Sequence, residues 1–316
     1  MDGTDAFTIE TLEESSPRRT EALRLVLAAR GDSSREAQRR VRRLEDYVAQ
    51  QSLCLGPVLG ASVLGRLISA AMVVESPGSL GAVFIPAERT PGLQHAATIA
   101  LLRHVQACAW ERSLAILQAL VDPADRAEQN LLAEAGFEFL AELIYLERSD
   151  ADSCPPTPAP PGLDFVPCSP GREGLLAETL ELTYEHSKDC PKLTEIRRPS
   201  EVVATHRATG IFNPDWWLMA TLDGRPAGLL LLAGVHGRRA LEVIYMGVVP
   251  ALRRRGIAHA IMARAVEICR QHDNADLILA VDRDNRPARR LYGRWSLGEV
   301  ARRRAWFAAH PERRPL

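Results

Sequence analysis

The sequence lacks the patterns that mark a disulfide framework, a metal site or a membrane span. Its six cysteines are scattered and include no C-x-x-C pair, which argues against a zinc site and against paired disulfides. No apolar run approaches the ~20 residues needed to cross a bilayer, and the longest candidate, Ala227 to Val235, is typical of a buried strand. The acidic start has no apolar core, so we expect no signal peptide and a cytoplasmic protein.

The chain also lacks an excess of charge of either sign. A formal net charge of −1 gives no reason to expect nucleic acid or an anionic membrane as a partner. The hydrophobic fraction of 46% and the charged fraction of 25% are typical of a soluble globular protein. A length of 316 residues suits two domains of about 150 residues each.

A proline-rich segment at residues 149–162 divides the chain in two. It contains five prolines, which cannot continue a helix or a central strand and instead favour a stiff, extended linker. The segments on either side have similar lengths. We therefore predict one domain at residues 1–148, a linker at 149–162 and a second domain at 163–316.

The two halves share a block of sequence. Aligned without a gap, Pro86–His95 and Pro250–His259 have Pro, Ala, Arg, Gly and His in common. Each block follows a short apolar strand and precedes an amphipathic helical pattern, at residues 96–110 and 260–271. A strand, a helix and a last strand follow in both halves. The same order of elements around both blocks indicates an internal duplication.

The second half predicts a mixed α/β fold. Its patterns give the order β, α, α, β, β, β, α, β, α, β, and Asp223-Gly224 between two apolar runs predicts a hairpin. Such an order combines an antiparallel front with a later parallel crossover. The predicted fold class is therefore α/β with a mixed sheet, present as two tandem domains.

The turn after the strand that is predicted to end at Val249 is the most informative part of the sequence. It carries Arg253-x-x-Gly256-x-Ala258 and leads directly into a helix. The first N–H groups of a helix are unpaired and hold a positive partial charge, which favours an anion. Gly256 and Ala258 keep side chains away from the main chain, and three arginines add charged donors. A diphosphate site is one interpretation, and an ordinary capped turn is the other.

Two motifs resemble those of a known family. The stretch Glu-Val-x-x-x-Gly-Val-x-Pro followed by Arg-x-x-Gly-x-Ala resembles the acetyl-CoA signature of the GNAT N-acetyltransferase superfamily. Asn285-x-x-Ala288-x-x-x-Tyr292 resembles that family's motif on the helix after the fifth strand. The resemblance covers about residues 161–316. It implies a GNAT fold, acetyl-CoA as co-substrate, no metal, and a primary amine on a small molecule or peptide as acceptor.

The resemblance also implies roles for individual residues. Glu242 matches a general-base position, although an ordinary ion pair at a strand end would also explain it. Tyr292 matches the acid that protonates the departing thiolate, although a tyrosine packed on the sheet is the alternative. Gly247 would lie at a strand bulge that frees a main-chain donor for the thioester carbonyl. The implied cofactor-binding residues are Met246, Gly247, Val248, Arg253, Arg254, Arg255, Gly256, Ile257, Ala258, His259 and Asn285.

Some positions depart from the family pattern. Ser296 and Leu297 stand where the family usually has Gly-Phe after the tyrosine. In the first half, Pro91 removes a donor from the matching turn and Gly78 stands at the position of Glu242. Leu132 replaces the tyrosine of the second motif. We therefore expect the first half to be a degenerate copy that has a structural role or forms a wall of the substrate site. Weak or altered acyl-CoA binding by this half is the alternative.

The acceptor is expected to lie against residues 184–191 and 213–217, which carry Glu185, His186, Lys188 and Asp189. Tandem length and Glu242 are also similar, at a distance, to mycothiol synthases, but Ala280 replaces a substrate tyrosine of that family. The leading hypothesis is an N-acetyltransferase that works by direct transfer in a ternary complex. The alternatives are a non-catalytic acyl-CoA-binding sensor or scaffold, and an enzyme that uses a larger acyl or aminoacyl donor.

Overall fold

The computed structural model describes residues 6–29, 31–51, 53–87, 91–149, 158–168, 171–194, 196–273 and 275–313. The chain forms two compact units, one of Met1–Leu140 with Arg304–Leu316 and one of Ala141–Arg303. Most of the proline-rich linker, residues 150–157, lies outside the described residues, as does Arg89 of the first-half turn. No helix among the described residues is long and apolar enough to cross a membrane.

The first unit is a mixed sheet with helices. Its strands run in the order β1-β2-β3-β4-β5, antiparallel except for the parallel pair β4 and β5. Helix α3 buries Leu101, Leu102 and Val105 in the same cluster as residues of β2, β3 and β5. The elements are β1 (Thr8–Thr11), α1 (Pro17–Leu27), α2 (Ser34–Gln50), β2 (Cys54–Val63), β3 (Arg66–Ser76), β4 (Leu80–Phe84), α3 (Leu93–Glu111), β5 (Ile116–Val121) and α4 (Arg126–Glu134).

The second unit repeats this plan. Its strand order is β6-β11-β10-β9-β8-β7, with β10 and β11 parallel and the other pairs antiparallel. The elements are β6 (Glu138–Arg148), β7 (Leu163–Pro167), α5 (Glu173–Tyr184), α6 (Pro191–Thr194), α7 (Pro199–Arg207), β8 (Ile211–Leu222), β9 (Arg225–Gly234), β10 (Ala240–Val248), α8 (Ile257–Gln271), β11 (Asp276–Asp282), α9 (Arg286–Arg294) and β12 (Gly298–Ala309).

Each half of the sequence gives its last strand to the other unit. β6 ends the first half, yet its residues Leu143 to Arg148 pair with β11. β12 ends the second half, yet its residues Arg304 to Ala309 pair with β5. The compact units therefore differ from a simple division of the chain at the proline-rich linker.

The second unit has a different core on each face of its sheet. One face packs against α8 through alternate residues such as Leu230, Leu232 and Leu241. The other packs against α5 and α7 through Leu229 and Leu231, as the period-2 alternation of strands requires. The hairpin at Asp223-Gly224 is present, with φ of 50° and 76° at these residues. Two positive φ values are what a tight two-residue hairpin turn needs.

Candidate active site

The turn between β10 and α8 leaves a run of main-chain donors unpaired. Arg254 and Gly256 have positive φ values of 63° and 83°, and α8 begins at Ile257. His259 N–H donates to the carbonyl of Gly256. For the N–H groups of residues 254–258, the described part of the chain offers no acceptor. Consecutive free donors at a helix N-terminus form a concave anion-binding surface.

The three arginines of this turn divide into two kinds. Arg254 and Arg255 are exposed, and neither has a hydrogen-bond or ion-pair partner among the described residues. Arg253 is engaged: its Nε donates to the Val248 carbonyl at 3.0 Å, and its Nη2 to the carbonyls of Thr183 at 3.0 Å and Glu185 at 2.8 Å. The Thr183 and Glu185 carbonyls lie at the C-terminal end of α5, where a cation is favoured, and the Val248 carbonyl lies at the end of β10. Arg253 therefore has a structural role, and its place among the cofactor-binding residues stays a prediction.

The strands β10 and β11 separate beside this turn. Their parallel pairing runs from Ala240 opposite Asp276 to Val243 opposite Leu279, while β10 remains paired with β9 as far as Val248. Val249 N–H donates to the Ala227 carbonyl. The N–H of Val249 therefore points toward β9. Because successive residues of a strand direct their N–H groups to opposite sides, the N–H groups of Val248 and Met246 point away from β9 and into the gap beside β11. The edge of β10 therefore offers main-chain donors beside the anion-binding turn.

The strand irregularity lies earlier than the sequence suggested. The register of β10 against β9 shifts between Val243 and Tyr245, which places the bulge at Ile244 and corrects the predicted position at Gly247. Gly247 is needed for another reason. A Cβ there would lie 2.7 Å from the Tyr245 hydroxyl and 2.8 Å from Thr183 Cβ, so only glycine admits this close approach of α5.

Glu242 lies on β10 before the bulge, half-buried, with Ala233 and Ile278 as its neighbours across the sheet. It forms no ion pair within the described residues, so the predicted alternative of a strand-end salt bridge is absent there. Burial raises the pKa of its carboxyl, because the charged form loses hydration. A half-buried carboxylate without a partner is suited to accept a proton.

Tyr292 and Asn285 both belong to α9. Tyr292 is only 7% exposed and belongs to the same buried cluster as Val248. Met246 and Ala258 are partly buried and pack against this cluster. Burial raises the pKa of the Tyr292 phenol, with a smaller effect from the charge of Asp189. Its hydroxyl has no hydrogen-bond partner among the described residues. Asn285 caps α9, with its Oδ1 accepting from the N–H of Ala288 at 3.3 Å.

His259 is tied to the core of the second unit. Its Nδ1 accepts a hydrogen bond of 3.1 Å from Nε1 of Trp295, a fully buried residue. Burial, with a smaller effect from Arg294, lowers the pKa of the imidazole. Both features favour the neutral ring. The side chain of His259 therefore links α8 to the end of α9, and its place among the cofactor-binding residues stays a prediction.

The connection between α5 and α6 reaches the end of β11, which the sequence did not reveal. Asp282 N–H donates to Asp189 Oδ1 at 3.1 Å, and Cys190 N–H donates to Asp282 Oδ2 at 3.3 Å. Burial raises the pKa of the Asp189 carboxyl, while hydrogen bonds from Asp282 and Asn285 lower it. In the described part of the chain, no group of three or more His, Cys, Asp or Glu is arranged to hold a metal ion.

The matching region of the first unit has different side chains. Leu132, at the position of Tyr292, is 1% exposed and packs in the apolar core. Gly78 lies in the turn between β3 and β4 with a φ of 86°. Residues 88–90 of the turn before α3 are outside the described residues. The degenerate character of this half stays a prediction.

The mixed sheet with helices, in which β10 and β11 separate beside the N-terminus of α8, is similar to the fold of GNAT acetyltransferases. Residues 180–296 match the model of the Acetyltransferase (GNAT) family, and this segment is therefore a GNAT domain. A search of curated protein sequences finds no significant match.

Solved structures with this fold extend over both halves of the chain. A GCN5-related N-acetyltransferase from Sphaerobacter thermophilus is 19% identical with a TM-score of 0.62, and the match covers 96% of each chain. A tandem GNAT protein from the clavulanic acid biosynthesis pathway is 13% identical with a TM-score of 0.54, over 96% of this chain and 98% of that one. A fungal GCN5-related glucosamine N-acetyltransferase region within a GH3 β-N-acetylglucosaminidase is 14% identical with a TM-score of 0.60, over 96% of this chain and 38% of that one. At these identities the likeness establishes the fold.

Proposed function

We propose that the second unit transfers an acetyl group from acetyl-CoA to a primary amine by direct attack within a ternary complex. The observation that carries this proposal is the run of unpaired N–H groups at residues 254–258 beside the open edge of β10. When bound, acetyl-CoA supplies the acetyl group as a reactive thioester. The donors of the turn fit its diphosphate, and the exposed side chains of Arg254 and Arg255 add positive charge there.

The open edge of β10 stabilises negative charge. The Met246 N–H faces the gap between β10 and β11 and can donate to the thioester carbonyl oxygen as that atom gains charge. A donor fixed in advance on a strand stabilises such charge without reorganising. Tyr292 packs in the same cluster as this segment, so its phenol can protonate the thiolate as the C–N bond forms and the C–S bond breaks.

Glu242 removes the proton from the amine. A free alkylamine has a pKa of about 10 and is mostly protonated at neutral pH. Glu242 lies four residues before Met246, which is about 13 Å of strand, so ordered water relays the proton. The raised pKa of the carboxyl brings it closer to the working pH, which makes it a better general base.

Acetyl-CoA binding is the first test, with a matched pair of glycine variants. Gly256 and Gly92 both precede a helix and have positive φ values of 83° and 86°. The ψ of −129° at Gly92 makes a glutamate there at least as strained as one at Gly256, where ψ is −9°. Calorimetry should show that Gly256→Glu weakens acetyl-CoA binding at least tenfold, on the order of 1.4 kcal/mol or more, because a carboxylate enters the anion site. Gly92→Glu should bind as the wild type does.

Turnover is tested by mass spectrometry of acetyl-CoA consumption against pooled alkylamines, amino alcohols and amino sugars. Glucosamine belongs in this panel because one structural neighbour is a glucosamine N-acetyltransferase region. Formation of an acetamide supports the proposal. Tight binding with no product from any amine would favour the non-catalytic acyl-CoA sensor. Absence of binding by the wild type would overturn both functions.

A further inference from the structure

One face of the second unit's sheet carries two polar side chains, Glu242 and Tyr145. The proposed mechanism gives a role to Glu242 and none to Tyr145. Glu242 pairs with Ala233 of β9 and with Ile278 of β11. Ala280 lies two residues beyond Ile278, on the same face of β11, and pairs with Tyr145 of β6. Because cross-strand partners share a face, Glu242 and Tyr145 project from the same side of the sheet.

The two side chains start from positions two strands apart on this face of the sheet. The registers place Tyr145 two strands and two residues away from Glu242, which corresponds to about 12 Å between their Cα atoms. Ile278 and Ala280 line the sheet between them, and both are half-buried. The Glu242 carboxylate and the Tyr145 hydroxyl therefore lie on either side of an apolar strip of β11.

Both polar heads are without hydrogen-bond partners among the described residues, although both side chains are half-buried. Neither residue is among those described residues that have a fully buried unpartnered polar atom, so the Glu242 carboxylate and the Tyr145 hydroxyl reach the surface and are available to a ligand. The charge of Glu242 also reaches Tyr145: burial raises the pKa of that phenol, and the Glu242 carboxylate raises it further, against a lowering by Arg303.

We infer that Tyr145, from the strand that ends the first half of the chain, binds the acceptor opposite Glu242. This inference rests on the proposed acetyl transfer and names the acceptor class. Glu242 receives the proton of the amine, and the Tyr145 hydroxyl contacts a hydrogen-bonding group a few bonds away. The favoured acceptor is a small primary amine that carries a hydroxyl group. The first half therefore contributes to the site through β6.

The juxtaposition can be tested without an acceptor. The chain has five tyrosines, so labelling their Cζ atoms with ¹³C gives a simple spectrum in which Tyr145→Phe identifies the Tyr145 signal. In the wild type that signal should move as Glu242 titrates. In Glu242→Gln the movement should be absent. If the chemical shift of Tyr145 in the wild type does not change while Glu242 titrates, the inference is overturned.

The acceptor role is tested by comparing ethanolamine with propylamine, which have the same size but differ in the hydroxyl. In Tyr145→Phe, kcat/KM for ethanolamine should fall about threefold to tenfold, the effect of one lost hydrogen bond, mainly through KM. The value for propylamine and the affinity for acetyl-CoA should be unchanged. Tyr47→Phe, which alters a 42% exposed tyrosine of the first unit, is the control.

The outcomes separate the two proposals. Equal losses for both amines in Tyr145→Phe, or no loss for either, would overturn the role of Tyr145 and leave acetyl transfer standing. No product from the wild type with any amine would overturn the proposed function and the acceptor role with it. In that case the labelling experiment still decides whether Glu242 and Tyr145 face each other.

Discussion

At the scale of single residues, the burial of Glu242 lowers the stability of the fold at neutral pH and makes its carboxylate a better general base. Its folded-state pKa is raised by burial, so the folded protein holds this proton to higher pH than the unfolded chain does. The stabilising effect of the protonated form is complete below the unfolded pKa of about 4.3 and is lost as pH rises through the folded pKa. Stability should therefore fall across this window.

Replacing Glu242 with glutamine removes that pH-dependent loss. We expect Glu242→Gln to raise Tm at pH 7 and to leave it nearly unchanged at about pH 4, since glutamine resembles the protonated acid. The same variant should reduce kcat by about a hundredfold or more, because general-base catalysis contributes on this order. Thermal unfolding at the two pH values and steady-state rates provide the measurements. A lower Tm at pH 7 would contradict the argument.

Tyr292 is expected to act in the chemical step alone. Its phenol stays protonated at neutral pH because burial raises its pKa, and its hydroxyl has no partner among the described residues. Tyr292→Phe should therefore lower kcat about a hundredfold while the affinity for acetyl-CoA changes less than threefold. A lower kcat in steady-state assays, with an unchanged acetyl-CoA affinity in calorimetry, would agree with this role. A parallel loss of cofactor affinity would instead indicate a packing role.

At the scale of elements, the arginines of one turn serve different purposes. Arg253 joins the end of α5 to the end of β10 through main-chain carbonyls, whereas Arg254 is exposed without a partner in the described chain. Arg253→Ala should lower the free energy of unfolding by about 2 kcal/mol, the scale of hydrogen bonds from a charged group. Urea denaturation measures this.

Arg254→Ala is the matched comparison for Arg253→Ala. It should change stability by less than about 0.5 kcal/mol, as surface substitutions usually do, but should weaken acetyl-CoA binding through lost positive charge. The binding loss should shrink at high salt, because exposed charges are screened. A similar stability loss in both variants would show that Arg253 is no more structural than its neighbour.

Local sequence signals predicted the elements and the glycine-containing turn before α8, because glycine, proline and period-2 patterns act over a few residues. The Asp223-Gly224 hairpin and the helix start at Ile257 are of this kind. Contacts distant in sequence were not predictable. The acceptor carbonyl of Thr183 lies 70 residues before Arg253, and the bulge at Ile244 depends on how β10 fits between its neighbours.

At the scale of the whole molecule, the exchanged strands give the first half a structural part in the second unit, although this half is predicted to have lost its chemistry. Ile144 and Leu146 of β6 belong to the buried core of the second unit. Arg148, 2% exposed, donates to the Trp295 carbonyl at 2.8 Å. A second unit without β6 would expose one edge of β11, and open strand edges promote aggregation.

A fragment of residues 163–316 should therefore fail to fold, whereas residues 138–316, which keep β6, should retain the second unit and bind acetyl-CoA. Loss of two buried aliphatic side chains alone costs about 4 kcal/mol or more, a large part of the roughly 5–15 kcal/mol that stabilises a domain. Supplying residues 1–162 in trans, with β6, should restore solubility and binding to the shorter fragment. Circular dichroism and calorimetry on both fragments measure these effects. Cooperative unfolding and full cofactor affinity of residues 163–316 alone would show that β6 is dispensable.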